Sequence, residues 1–469
     1  MLRKLSRKLA NMPQKEIQEN LNNTKELLDS ISKYFESLSS INVKPTKSPV
    51  PLPKDLPIIP IPFNQILNTI ETSIYPNNLH WLHPMFFGYF PASTSWPSIQ
   101  GSLVSKALSS VAFTTSSCPI STEIEKLVSN WLGQMLNLPN QFIYGKGEGG
   151  GLTYGSASEA VLTAMACARL KKNTVNPVAY TSNQSHFSII KAAKVLGIPI
   201  RLIPGDRDNN GNYPLDPKKL VKQIEDDKEK GFTPIFICGC VGTTNVGAID
   251  DLETIGKIAE KEDSWFHIDA AYAGSFAILP ELRHILNGVE LATTFNMNSS
   301  KMLLCGFDCS NMWIKDSSLL TNHLTQNADY MKKSNVIDYK DWQIPLGRNV
   351  KGLPLWMVIQ QFGVEGIQKY LRNHIEAGKL MEKLVDEDKR LEIIARRSFG
   401  LVGFRVKGEN ELTDGVIQRL AENQEIFLLG SKSDGRSFIR FSPGSNPPDL
   451  SNVRKAFEIV KGYLDELTN

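Results

Sequence analysis

Cysteine is scarce, net charge is nearly zero and long apolar runs are missing, and each shortage removes a class of protein. The six cysteines, Cys118, Cys167, Cys238, Cys240, Cys305 and Cys309, lack the paired spacing of a zinc site and do not form a secreted disulfide framework. Their apolar neighbours predict reduced core thiols in a cytoplasmic protein. The balance of 52 Lys+Arg against 49 Asp+Glu leaves +3, which gives no reason to expect a nucleic-acid partner. No uninterrupted apolar stretch is long enough to span a bilayer, so no membrane partner is expected. Repeats and low-complexity tracts are absent, and no metal site is indicated. The first fifteen residues hold no acid but carry Arg3, Lys4, Arg7, Lys8 and Lys15 among leucines. Two readings stay open there: an organelle-targeting helix, or the basic start of a docking helix.

What is present reads as an enzyme-sized chain of two or three closely packed domains. Apolar residues from Ile17 to Phe35 approximate a helical stripe. Prolines then recur among apolar residues from Pro45 to Pro62, an extended arm lying against something. A second amphipathic piece runs from Phe63 to Ile74. From about residue 100, helical stretches (97–109, 120–137, 156–172, 185–196, 251–262) alternate with apolar runs (Val178–Tyr180, Ile198–Ile203, Pro234–Val241, Trp265–Ile268). That alternation predicts a largely parallel sheet covered on both faces, with ligands outside the carboxyl ends of its strands. Helices over Leu355–Leu371 and His374–Asp388, then strands such as Leu401–Val406 and Phe438–Phe441, predict a smaller α+β domain.

Four polar patterns fall at the expected strand ends. Gly149-Gly150-Gly151 precedes Gly155-Ser156-Ala157-Ser158-Glu159-Ala160, where a helix opens. Small residues at a helix N-terminus offer N–H groups to a phosphate, and they also serve as ordinary turn and cap residues. Asp269 ends the run Trp265–Ile268 and precedes Ala270-Ala271-Tyr272-Ala273-Gly274. A carboxylate there needs a partner, either a protonated pyridine nitrogen or a structural Arg or Lys. Lys301, within Asn298-Ser299-Ser300-Lys301-Met302, is either a strand-edge lysine or a desolvated, imine-forming nucleophile. His186, in Ser185-His186-Phe187-Ser188, either lies on a planar ring or caps a helix.

The order of these elements, with Lys301 following Asp269 by 32 residues, resembles fold-type I pyridoxal-5′-phosphate (PLP) enzymes. The resemblance sharpens to the group II decarboxylases, especially the aromatic L-amino acid decarboxylases. It covers nearly all of the chain from about residue 77. It includes His83-Pro84 through Tyr89-Phe90-Pro91, Thr122-Glu123-Ile124-Glu125, Gly242-Thr243-Thr244, His267 to Gly274, Phe307-Asp308-Cys309-Ser310, and Asp338 to Arg348.

This resemblance implies an α/β fold, with a mainly parallel seven-stranded sheet in a large PLP-binding domain (96–355). A dimer-embracing N-terminal segment (1–95) and a small C-terminal α+β domain (356–469) complete it. It implies a homodimer that decarboxylates an aromatic L-amino acid. Lys301 would carry PLP as a Schiff base, Asp269 would pair with the pyridine nitrogen, and His186 would stack on the ring. Ala157, Ser158 and Asn298 match phosphate contacts, and Thr244 lies beside the ring. Asn327-Ala328-Asp329-Tyr330-Met331-Lys332 matches a mobile-loop motif whose tyrosine reprotonates Cα, which nominates Tyr330. Relatives with phenylalanine there divert to an aldehyde, ammonia and peroxide. Trp81, Tyr89, Phe90 and Pro91 match the substrate pocket, with Phe113 supplied by the partner subunit. Gly347 sits where relatives carry glycine or serine; glycine leaves room for an indole or a large catechol, whereas serine goes with phenolic substrates in plant relatives and imidazole in animal ones, and tryptophan or 5-hydroxytryptophan is ranked ahead of dopa and tyrosine.

The chain also departs from the pattern. Ser300-Lys301-Met302 replaces the usual His-Lys-Trp, and serine there is similar to animal histidine decarboxylases. Ala92 replaces a hydroxyl residue that Ser93 can substitute. The alternatives are therefore an aromatic acetaldehyde synthase, a histidine decarboxylase, and a non-catalytic member that kept the fold.

Overall fold

The computed structural model describes residues 13–45, 52–208, 211–326 and 337–468. The large sheet has seven strands: β1 (Gly150–Tyr154), β2 (Pro177–Ser182), β3 (Ile200–Ile203), β4 (Thr233–Cys240), β5 (Trp265–Asp269), β6 (Thr294–Met297) and β7 (Ser310–Ile314). Their spatial order is β1-β7-β6-β5-β4-β2-β3. Neighbours from β6 to β3 run parallel, whereas β7 is antiparallel to both β1 and β6. This is the mainly parallel α/β sheet that the alternating text predicts.

Both faces of the sheet are buried, which explains the unbroken apolar runs. Along β4, Phe236 and Cys238 join one core while Ile237 joins the other. Along β5, Trp265 joins the first core, and Phe266 and Ile268 join the second. Helices Ala157–Lys172 and Phe187–Leu196 pack over the first; helix Pro119–Met135 and part of Gly352–Glu387 pack over the second. No helix among the described residues is long and apolar enough to cross a membrane.

The C-terminal region forms an antiparallel sheet from β8 (Leu391–Ser398), β9 (Leu401–Val406), β10 (Leu429–Ser433) and β11 (Arg436–Phe441), in the order β10-β11-β9-β8. Its inner face packs on Ala377, Met381 and Val385 of the long helix and on Val453, Ala456 and Val460 of helix Leu450–Thr468.

Two local expectations are corrected. The stretches 355–371 and 374–388 are not separate helices; helical structure runs through Arg372 and Asn373, and the break falls at Gly363. There the backbone adopts φ 62, ψ 177, which glycine accepts readily because it has no Cβ. The triplet Gly149-Gly150-Gly151 is not part of an anion cradle. It leads into β1, where a Cβ at Gly150 would meet the Tyr144 ring at 2.2 Å and one at Gly151 would meet Trp313 at 2.7 Å.

The N-terminal helix Gln14–Ser37 leads to a strap tied to the C-terminal end of helix Asn410–Glu422 and the turn that follows it. Val43 N–H donates to the Gln424 carbonyl, and Lys44 Nζ donates to the carbonyls of Leu420 and Ala421. Beyond it Leu56, Ile58 and Ile59 are 84, 94 and 73% exposed, so nothing in the described chain covers that part of the proline-rich arm.

Candidate active site

Buried strands cannot carry polar residues cheaply, so the chain places them just past the strand ends. Cys240 ends β4, Asp269 ends β5, Asn298 follows β6, and His186 follows β2. These residues line one cavity of about 180 Å³ together with Ser156, Ala157, Ser158, Thr244, Lys301 and Phe90. The structure thus gathers Ala157, Ser158, His186, Thr244, Asp269, Asn298, Lys301 and Phe90 around a single space.

Each side chain is held by an identifiable local device. Ser156 caps helix Ala157–Lys172 by accepting from the Glu159 N–H at 3.2 Å, and the Glu159 carboxylate reaches back to the Gly155 N–H at 2.9 Å. The N–H groups of the helix's first turn that remain unpaired form the positive end of the dipole, a seat for an anion. His186 both lines the cavity and caps helix Phe187–Leu196, so both of its readings hold in part. Its Nδ1 accepts from the Ser188 N–H at 3.2 Å, and a backbone N–H only donates. The neutral ring therefore carries its proton on Nε2. Burial holds the imidazole below its ordinary pKa, with Asp269 opposing and Lys301 adding to that shift.

Asp269 spends one oxygen on its own chain, Oδ1 accepting from the Ala271 N–H at 3.0 Å. Its Oδ2 has no protein partner among the described residues. Lys301 lies on the one-turn helix Ser299–Met302. Ser93 grips that turn from across the fold: its N–H donates to the Ser300 carbonyl at 3.0 Å and its hydroxyl to the Lys301 carbonyl at 2.9 Å. The Lys301 amine sits 5.0 Å from the centre of the Phe90 ring. Burial pulls its pKa down to about 8, with Asp269 opposing the shift and Arg440 reinforcing it.

Arg440 is the residue that the sequence reading missed. Its guanidinium lies 4.3 Å from the Phe90 ring centre, and Nε donates to the Thr244 carbonyl at 3.0 Å. Burial lowers even this group to about 10. On Phe90 the Tyr272 ring stacks at 3.8 Å. A charged residue inside the buried run Phe438–Phe441 was the available signal. Phe307, exposed at the cavity edge, is a second addition.

Other expected site residues do not reach this cavity within one chain. Trp81 and Tyr89 stack on each other at 5.2 Å, beside Phe427, and Pro91 is buried next to them in sequence. Phe113 is half-buried, its carbonyl accepting from the Lys340 N–H. Gly347 is exposed, with no heavy atom within 4 Å of where a Cβ would stand. Tyr330 lies outside the described residues.

The donor set fits PLP. A helix N-terminus and Asn298 suit a phosphate, Asp269 retains an unused oxygen for a cationic ring nitrogen, and His186 and Thr244 flank the same space as a partly neutral amine. Among the described residues no group of three or more His, Cys, Asp or Glu is gathered as a metal site.

Comparison with known proteins agrees with this chemistry. A family model described as the pyridoxal-dependent decarboxylase conserved domain matches residues 45–407. The aromatic-L-amino-acid decarboxylase of Sus scrofa is 37% identical over 468 residues, covering 94% of this chain and 96% of that protein. The phenylacetaldehyde synthase of Arabidopsis thaliana is 38% identical over 459 residues, covering 93% and 94%. The solved structure of Oryza sativa TDC with PLP and tryptamine superposes with a TM-score of 0.93 at 32% identity, over 98% of this chain and 99% of that one. With its cavity chemistry, sequence and fold in agreement, the chain belongs to the pyridoxal-dependent decarboxylase family, as a PLP-dependent carboxy-lyase of the aromatic amino acid decarboxylase group.

Proposed function

We propose that the enzyme converts an aromatic L-amino acid to its arylalkylamine and carbon dioxide, preferring tryptophan or 5-hydroxytryptophan to dopa and tyrosine, as a homodimer. The resemblance at Gly347 carries the substrate preference: glycine is the smaller of the two residues that relatives hold there, and no atom lies within 4 Å of where its Cβ would stand. The tryptamine held by the Oryza sativa relative supports an indole substrate. Exposed apolar residues in the arm (Leu56, Ile58, Ile59) and at Leu103, Val104 and Val111 support a partner subunit, as does the distance of Trp81, Tyr89 and Phe113 from the cavity in one protomer.

The geometry supports the roles of Lys301, Asp269 and His186, and the family resemblance supports that of Tyr330. Lys301 is an amine that is neutral in about a quarter of molecules near pH 7.5, the form that has a lone pair to donate. Asp269 holds a positive charge near the sheet's end, and His186 gives the site a flat wall with its proton on Nε2. Bound PLP supplies the electron sink that accepts the bonding pair as carbon dioxide leaves. Phe90, Tyr272 and Phe307 limit water at the cavity, which strengthens the electrostatics inside it. Tyr330 Oη then delivers a proton to the substrate carbon that lost its carboxylate, which keeps the product an amine.

Ser300 does not argue for histidine as substrate, because it is buried and its hydroxyl is engaged by Asn298. The test is kcat/KM for tryptophan, 5-hydroxytryptophan, dopa, tyrosine, phenylalanine and histidine, with wild type and Gly347→Ser. The indole substrates should lead in wild type and lose about 10-fold or more relative to tyrosine in the variant. Equal ranking in both proteins would remove Gly347 from the account.

A further inference from the structure

Ser300 departs from the family's usual histidine, and the structure gives its hydroxyl a defined partner. Asn298 lines the cavity and caps the one-turn helix that carries Lys301. Its Oδ1 accepts two hydrogen bonds from Ser300: the backbone N–H at 3.2 Å and the hydroxyl at 2.6 Å. A backbone N–H can only donate, so this contact identifies the amide oxygen and excludes the flipped amide. The single Ser300 hydroxyl hydrogen is used on the same oxygen. Ser300 is pinned from both sides, its N–H also reaching the Cys309 carbonyl at 2.9 Å and its carbonyl accepting from the Ser93 N–H at 3.0 Å.

With Oδ1 fixed, Nδ2 is the end of the amide left to donate. It has no protein acceptor among the described residues, although Asn298 is only 8% exposed. Asn298 lines the cavity, so a ligand bound there is the acceptor that this free N–H end can meet. Ser156, Ala157 and Ser158, at the helix N-terminus, line the same space and favour an anion there. Ser300 itself is buried and does not line the cavity, so it acts through Asn298.

We propose that Ser300 is a positioning residue for the cofactor's phosphate: it locks the Asn298 amide so that Nδ2 donates to that group. The proposal rests on the reading of Asn298 as a phosphate contact. It assigns Ser300 to cofactor retention and leaves the chemistry at Lys301 to other residues.

The test compares PLP with pyridoxal, which lacks the phosphate. Full-length protein resolved of cofactor is titrated with each, following the absorbance of the lysine-bound cofactor, for wild type, Ser300→Ala, Ser300→Thr, Asn298→Ala and the Ser300→Ala/Asn298→Ala double variant. Ser300→Ala should weaken PLP by about 5- to 10-fold, the loss of one hydrogen bond, and leave pyridoxal within about twofold. Ser300→Thr should restore PLP binding. Asn298→Ala should weaken PLP selectively, with no further loss when Ser300→Ala is added. If Asn298→Ala selects against PLP but Ser300→Ala leaves the PLP-to-pyridoxal ratio unchanged, the role of Ser300 is overturned. If Asn298→Ala leaves that ratio unchanged, the phosphate reading of Asn298 fails and the proposal falls with it. Should Ser300→Ala not fold, Ser300→Cys, a weak donor, enters the same comparison with the same outcomes.

Discussion

Replacing Asp269 by Asn and Arg440 by Met should move the Lys301 amine in opposite directions. An ordinary lysine titrates near 10.4, so about 0.1% of it is neutral near pH 7.5. Burial brings Lys301 to about 8, which raises that share to about a quarter, a gain of roughly 200-fold. Asp269 opposes the shift by stabilising the ammonium, and Arg440 adds to it by repulsion. Asp269→Asn therefore drops the midpoint below about 8, and Arg440→Met lifts it above about 8. Methionine suits the second site because it keeps packing against Phe90 while removing the charge and the bond to the Thr244 carbonyl. The assay is limited acetylation of cofactor-free, full-length protein from about pH 6 to about pH 11, with the Lys301 peptide quantified by mass spectrometry against the bulk of surface lysines. A wild-type midpoint coincident with those surface lysines, or two variants shifting the same way, would refute the electrostatic reading of the site.

Arg348 and Glu125 form a fully buried ion pair, and Glu125 also accepts the Thr153 N–H at 2.7 Å; Arg348→Met strands the carboxylate and should cost about 3–5 kcal/mol in urea denaturation of the holoenzyme. His267 is buried with Nδ1 on the Thr294 hydroxyl and is held to about 4, below its ordinary 6.5. The unfolded chain takes up that proton first as pH falls, so stability is full above about pH 6.5 and declines toward pH 4. His267 alone should account for about 2 kcal/mol of stability lost between pH 7.5 and pH 5, so His267→Gln should flatten the wild-type slope by that amount, read from urea midpoints. Tyr330→Phe should replace amine by aldehyde and ammonia, with dissolved dioxygen as the oxidant reduced to peroxide, measured by product chromatography and a peroxidase-coupled assay in aerated buffer; amine as the sole product would discharge Tyr330 from proton delivery.

The sequence is most legible where one residue type carries the whole signal. β2, β4 and β5 read as strands because both faces of the sheet are buried and leave continuous apolar runs. β1, β6 and β7 are hidden because Gly150, Asn296 and Asn311 interrupt their apolar runs, and the partners of the two asparagines come from other strands: Asn311 donates to the Thr153 hydroxyl and Asn296 Oδ1 accepts from Ser310. Asp269, Lys301 and His186 stand out as polar residues after apolar runs, and the cavity collects all three. Arg440 is less visible: its place beside Phe90 depends on the small sheet docking against the large one. The break at Gly363 is likewise set by backbone conformation, since the apolar stripe continues past it. Trp81, Tyr89, Phe113 and Gly347 do not line the cavity of a single chain, and their resemblance to substrate-pocket positions is the part of the site that local pattern and this geometry leave to the proposed dimer.

The most direct test of the account is the product balance of the PLP-loaded enzyme with tryptophan. Tryptamine and carbon dioxide should form in equal amounts without peroxide, and borohydride should fix the cofactor on the peptide that contains Lys301. Indole acetaldehyde with stoichiometric peroxide, or cofactor fixed on another lysine, would contradict it.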